Sequence, residues 1–144
     1  MLPGERKKTN ARVMALDYGK AHTGVAVSDA TGTIVRPLPD IDAAGTPDGL
    51  NRVAALVTGE SAGLVVVGMP ISLAGAAGAQ AHETREFIKL LTARLSVPVA
   101  SWDERFTSKI ASARGGFSNA SSHSLAACVL LEDYLDSAAG GRQG

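Results

Sequence analysis

A single cysteine, Cys128, among 144 residues excludes an intrachain disulfide and a zinc cluster built from thiolates. Net charge is also missing. Fourteen Lys and Arg balance fourteen Asp and Glu, so the chain is not a supercharged nucleic-acid coat. Aromatic residues amount to 4 %, which gives little material for stacking single-stranded bases. No apolar run approaches the ~18 to 20 residues of a bilayer span. The segment before Asp17 also lacks the apolar core of ~7 residues or more that a signal peptide needs. A cytoplasmic protein with no membrane partner is the expectation. Neither a Gly-x-Gly-x-x-Gly turn after the first strand nor a Gly-Lys-Ser/Thr loop is present, which removes support for dinucleotide and P-loop nucleotide binding. Cys128 lies in an apolar stretch with no nucleophilic partner, and the scattered Ser, His and Asp residues form no hydrolytic motif.

What remains is ordinary globular composition, 45 % apolar and 19 % charged, at a length near the ~150 residues of one domain. Arg12 to Asp17 reads as a buried strand that ends abruptly in a carboxylate. Thr23 to Asp29 and Thr33 to Arg36 continue a three-stranded meander, with Pro37 and Pro39 expected to terminate the third strand. Pro47 and Asp48 open a helix whose Leu50, Val53, Ala54, Leu56 and Val57 share a face, closed by Gly59. Leu64 to Gly68 is continuous and β-branched, as a strand covered on both faces should be.

Thr84, Ile88, Leu91 and Leu95 then recur at helical spacing after the small-residue loop Gly75 to Gly78, and Val97 to Trp102 returns to a strand. Thr107 to Ala113 can form a short helix, Gly115 to Ser122 a loop, and Ser124 to Tyr134 an apolar helix. The order β-β-β-α-β-α-β-α implies parallel pairing through right-handed crossovers after the meander. Residues 12–137 form one α/β domain in this reading, between a basic flexible arm, residues 1–11, and a flexible tail, residues 138–144. The arm carries Arg6, Lys7 and Lys8 against Glu5.

Two acidic groups fall at the carboxyl ends of central strands, where open α/β sheets bind ligands: Asp17, and Asp103 with Glu104. If the first and last strands are neighbours, these carboxylates converge. A pair of carboxylates a few ångströms apart repels unless a cation lies between, and an oxygen-rich site suits Mg²⁺ or Mn²⁺. Each also has a plainer role, Asp17 as a turn acceptor and Asp103 as a cap or a partner of Arg105. Lys20, His22 and Arg105 stand close in sequence to the carboxylates and are candidates to contact phosphate.

The string Ala15-Leu16-Asp17-Tyr18-Gly19-Lys20-Ala21-His22-Thr23-Gly24-Val25-Ala26-Val27-Ser28-Asp29 resembles the opening motif of the YqgF/RuvX family, an RNase H-like group related to the RuvC resolvases. Arg36-Pro37-Leu38, Val66 to Gly75, Asp103 to Ser108 and the helix Ser124 to Leu135 are similar to later segments of the same family in the same order, over about residues 12 to 136. The resemblance implies an RNase H-like mixed five-stranded sheet, a three-stranded meander plus two parallel strands, flanked by helices. It implies a metal-dependent nuclease using Mg²⁺ or Mn²⁺, acting on nucleic acid: the 5′ end of precursor 16S rRNA, or branched DNA as a Holliday junction resolvase. Junction resolution would require a homodimer that presents two sites.

Carried over by residue, Asp17 matches the first-strand catalytic aspartate and Glu104 the second acidic site. Asp103 and His123 join them as candidate metal ligands, and Lys20, His22, Arg105 and Thr107 are the candidates for nucleic-acid contact. Gly19 and Gly24 match positions of tight turning or close approach. The chain departs from the family pattern at His123, where an aspartate is usual, and at His22, where a basic residue is common. An imidazole at 123 either ligates an ion, suiting Mn²⁺ better than Mg²⁺, or merely starts the helix and weakens the site. The weakened case leaves a different class of function open, an RNA-binding or ribosome-assembly scaffold.

Overall fold

The computed structural model describes residues 12–70, 78–103 and 120–140. In chain order its elements are β1 (Arg12–Asp17), β2 (His22–Ser28), β3 (Val35–Asp42), α1 (Pro47–Gly59), β4 (Ala62–Met69), α2 (Gly78–Arg94), β5 (Val99–Asp103) and α3 (Ser122–Gly140). The five strands form one sheet in the order β3-β2-β1-β4-β5. β1 runs antiparallel to β2 and parallel to β4, and β4 runs parallel to β5. The meander-plus-parallel arrangement read from the sequence is the one found.

β3 differs from expectation. It runs through Pro37 and Pro39 as far as Asp42 and does not stop at them. As an edge strand among the described residues it bonds to β2 alone, so the missing proline donors can fall where the ladder does not need them. A register shift in the β2–β3 ladder between Thr23 and Val25 absorbs the irregularity. α3 likewise continues to Gly140, past the start expected for the tail. The expected helix Thr107 to Ala113 and most of the loop after it lie outside the described residues.

The sheet separates two unequal cores. On one face Met14, Leu16, Val25, Val27, Val65 and Val67 meet α1 and α2 through Leu50, Val53, Val57, Phe87 and Leu91. Thr46 caps α1, its hydroxyl accepting from the Gly49 N–H at 3.0 Å ahead of Pro47 in the first turn, a contribution of ~1 kcal/mol. The other face has small side chains, Ala15 and Ala26, on β1 and β2, with Val13, Val35 and Trp102 beside them, and packs against Ala127, Cys128, Leu130 and Leu131 of α3. Trp102 ties β5 to this face. Its indole N–H donates to Asp133 Oδ2 at 2.9 Å, and its ring meets Tyr134 edge-on with centroids 5.5 Å apart. No helix among the described residues is long and apolar enough to cross a membrane.

Candidate active site

Because β1, β4 and β5 are parallel, Asp17, Met69 and Asp103 all end at the same edge of the sheet. β1 and β5 are not neighbours, since β4 lies between them. At ~4.8 Å per strand, Asp17 and Asp103 are separated by roughly 10 Å across the sheet. They also differ in face. Successive strand residues alternate sides. Asp17 therefore shares the α3 face with Ala15, while Asp103 shares the α1/α2 face with Val99. Glu104, Arg105 and Thr107 lie outside the described residues.

The start of α3 is brought to Asp17 by a glycine. Gly24 pairs directly with Asp17 across the β1–β2 ladder. A Cβ added at Gly24 would lie 2.0 Å from the His123 carbonyl oxygen and 2.6 Å from the Ser124 nitrogen. Only glycine lets the helix come this close. Ser124, fully buried, then locks the contact. Its Oγ accepts from Val25 N–H at 3.0 Å and lies 2.7 Å from the Leu38 carbonyl, to which it donates. Both backbone groups belong to the stretch where the β2–β3 ladder shifts register. Asp40 braces the same turn, within 3.0 Å of Ser124 Oγ and in a short hydrogen bond from the Ser121 hydroxyl. Ser121 Oγ in turn accepts from Ser124 N–H at 2.9 Å, capping the helix.

His123 is thereby exposed at the edge, facing His22 at the start of β2 with ring centroids 5.7 Å apart. His22 Nδ1 is 2.9 Å from Asp42 Oδ1, and the carboxylate can only accept, so Nδ1 carries the proton. Lys20 is also at this edge but leans toward α2, 3.5 Å from Glu83 and well exposed. The structure thus brings Asp17, His22 and His123 to one face and edge, and sets Asp103 on the other face. Among the described residues no three His, Cys, Asp or Glu side chains are grouped to hold a metal ion. Asp40 and Asp42 were not singled out from the sequence, because the strand that carries them was expected to end at Pro37.

The family model described as RuvX, Holliday junction resolvase, matches residues 11–137. The chain belongs to the RuvX family. A relative in Rubrobacter xylanophilus, named "Putative pre-16S rRNA nuclease", is 40% identical over 132 residues, 87% of this chain and 92% of the relative. One of the same name in Thermoanaerobacter pseudethanolicus is 31% identical over 134 residues, 88% of this chain and 96% of that one. In fold the RuvX chain is similar to T. thermophilus RuvC, solved in complex with Holliday junction substrate, with a TM-score of 0.58 at 15% identity over 91% of this chain and 97% of that one. The architecture is the RNase H-like mixed sheet.

Proposed function

We propose that this RuvX-family chain is a metal-dependent nuclease that hydrolyses phosphodiester bonds, with precursor 16S rRNA as its substrate. One observation carries the reading: Asp17 pairs directly with Gly24, the residue against which the first turn of α3 is seated. This pairing supports a site in which a carboxylate and the helix-start imidazole of His123 share the sheet edge where α/β folds bind ligands. The names of the curated relatives support the RNA substrate.

Asp17 and Glu104 would hold a divalent ion, Mg²⁺ or Mn²⁺, with His123 beside them. The donor chemistry fits, since carboxylates suit either ion and an added imidazole favours Mn²⁺. Glu104 takes its part from its place in the Asp103-Glu104-Arg105 motif, and Asp103 is left to the α1/α2 face. Such an ion, when bound, lowers the pKa of a ligated water and offsets charge on the scissile phosphate. The chain's own residues do the rest. Asp17 is fixed by its ladder pairing, the α3 N-terminus turns its positive end toward the same edge, and Lys20, with Arg105 and Thr107 of the sequence motif, would contact the phosphate backbone.

The test compares wild type with Asp17→Asn on a 5′-extended 16S precursor, a four-way DNA junction and a plain duplex, with and without Mg²⁺ or Mn²⁺. We expect metal-dependent cleavage of the precursor that falls at least a hundredfold in Asp17→Asn. Equal rates in both would remove the site. Preferred cleavage of the junction would favour a second reading, junction resolution, which the family description supports and which would call for two sites presented by a homodimer.

A further inference from the structure

His22 and Asp42, which the proposed hydrolysis by Asp17 and Glu104 does not use, stand beside His123. The two imidazoles come from elements a hundred residues apart in sequence, yet their rings face each other at 5.7 Å with planes tilted by 35°. Two rings bound to one ion through bonds of about 2 Å keep their centres within roughly 6 Å of one another, and the observed centroid separation falls within that span. Asp42 supplies the second element. By accepting from Nδ1 of His22 it fixes the tautomer in which Nε2 keeps its lone pair, the carboxylate–histidine relation that orients and strengthens imidazole ligands. The backbone beneath both rings is held by the Gly24 contact and the Ser124 bonds, which limits the ordering that binding would require.

We propose that His22 and His123 together form a two-imidazole site for a nitrogen-preferring divalent ion, Zn²⁺, Co²⁺ or Ni²⁺, with Asp42 as the positioning residue of His22 and water in the remaining coordination positions. Imidazole selects these ions over Mg²⁺, which demands oxygen ligands. The site shares His123 with the proposed nuclease centre, so it rests in part on the reading that this edge is functional.

The experiment is a Co²⁺ titration of the full chain, read by calorimetry and by the visible absorption of bound Co²⁺, with a parallel Mg²⁺ titration. Both rings are exposed, so alanine at either leaves the core intact, as circular dichroism would verify. We expect His22→Ala and His123→Ala each to weaken Co²⁺ binding at least tenfold, and Asp42→Asn to weaken it by about tenfold. His82, the third histidine, lies on α2, and His82→Ala should leave Co²⁺ binding within about twofold, while His22→Ala should not change Mg²⁺ binding. Co²⁺ binding that survives His22→Ala, or falls equally in His82→Ala, overturns the two-imidazole site. Loss in Asp17→Asn with none in His22→Ala places the ion at the carboxylate alone, which overturns the inference and keeps the nuclease reading. Binding through both histidines in a protein that cleaves no nucleic acid supports the inference and removes the nuclease reading.

Discussion

The two faces of the sheet solve the same burial problem with different side chains. On the α1/α2 face, valines, Met14 and Leu16 hold the helices off with branched and long side chains and build the larger core. On the α3 face, Ala15, Ala26 and Gly24 leave so little bulk that helix backbone reaches strand backbone. The thick face supplies stability. The thin face gives up apolar volume and gains position, because a helix seated on backbone delivers its first turn to a fixed point beside Asp17.

The contrast can be broken from the thick side first. Leu91 is fully buried against the α1/α2 core, and Leu91→Ala should cost about 2–5 kcal/mol in urea unfolding through lost burial and the cavity left behind. At temperatures where the variant is still folded, its cleavage rate should stay within a few-fold of wild type. Gly24→Ala should behave the opposite way. Its methyl group would collide with helix backbone that cannot rotate away, so α3 must shift bodily. We expect about 1–3 kcal/mol of lost stability by overpacking, with a loss of cleavage of a hundredfold or more at a temperature where the variant is folded. Equal ratios of stability loss to activity loss in the two variants would erase the distinction between the faces.

How much of this was visible in the chain before folding depends on the range of the interaction. Strand β1 and its closing Asp17 could be read because an apolar run ending in a carboxylate is a local signal, and Gly24 stood out within a motif. β3 could not be read correctly, since the prolines at 37 and 39 are tolerated only because β3 is an edge strand, and edge position is a property of the sheet order. Asp40 and Asp42 were missed with it. Their partners, Ser121 and Ser124 for one and His22 for the other, lie 81, 84 and 20 residues away, and no spacing rule connects them. The facing of Asp103 and Asp17 was hidden for a related reason. Proximity at the sheet edge follows from strand order, whereas sharing a face follows from the register of each strand.

The smallest effect comes from a part of the molecule that belongs to neither side of the contrast. Beyond the end of β2, Asp29 accepts from the Ile34 backbone N–H, the Thr31 hydroxyl and the Thr33 backbone N–H, and these bonds lower its pKa from 3.8 to about 2. A folded-state value below the unfolded one gives stability that is complete above the unfolded pKa and is lost as pH falls toward the folded one. Asp29→Asn should therefore be less stable than wild type at pH 5, with the gap closing between about pH 4 and pH 2 in urea melts. Metal binding at the far edge should be unchanged at pH 7. A gap that persists at pH 2 would mean that the carboxylate's charge is not what holds this turn.

The central claim is that Asp17, carried by the thin face to the carboxyl edge, is a metal ligand. Mg²⁺ isolates it, because this ion bypasses the imidazole pair and reports on oxygen ligands. The melting temperature of wild type should rise with Mg²⁺ concentration, as it must when an ion binds only the folded state, and that of Asp17→Asn should stay at its metal-free value. An equal rise in both proteins, or none in wild type, would contradict the account.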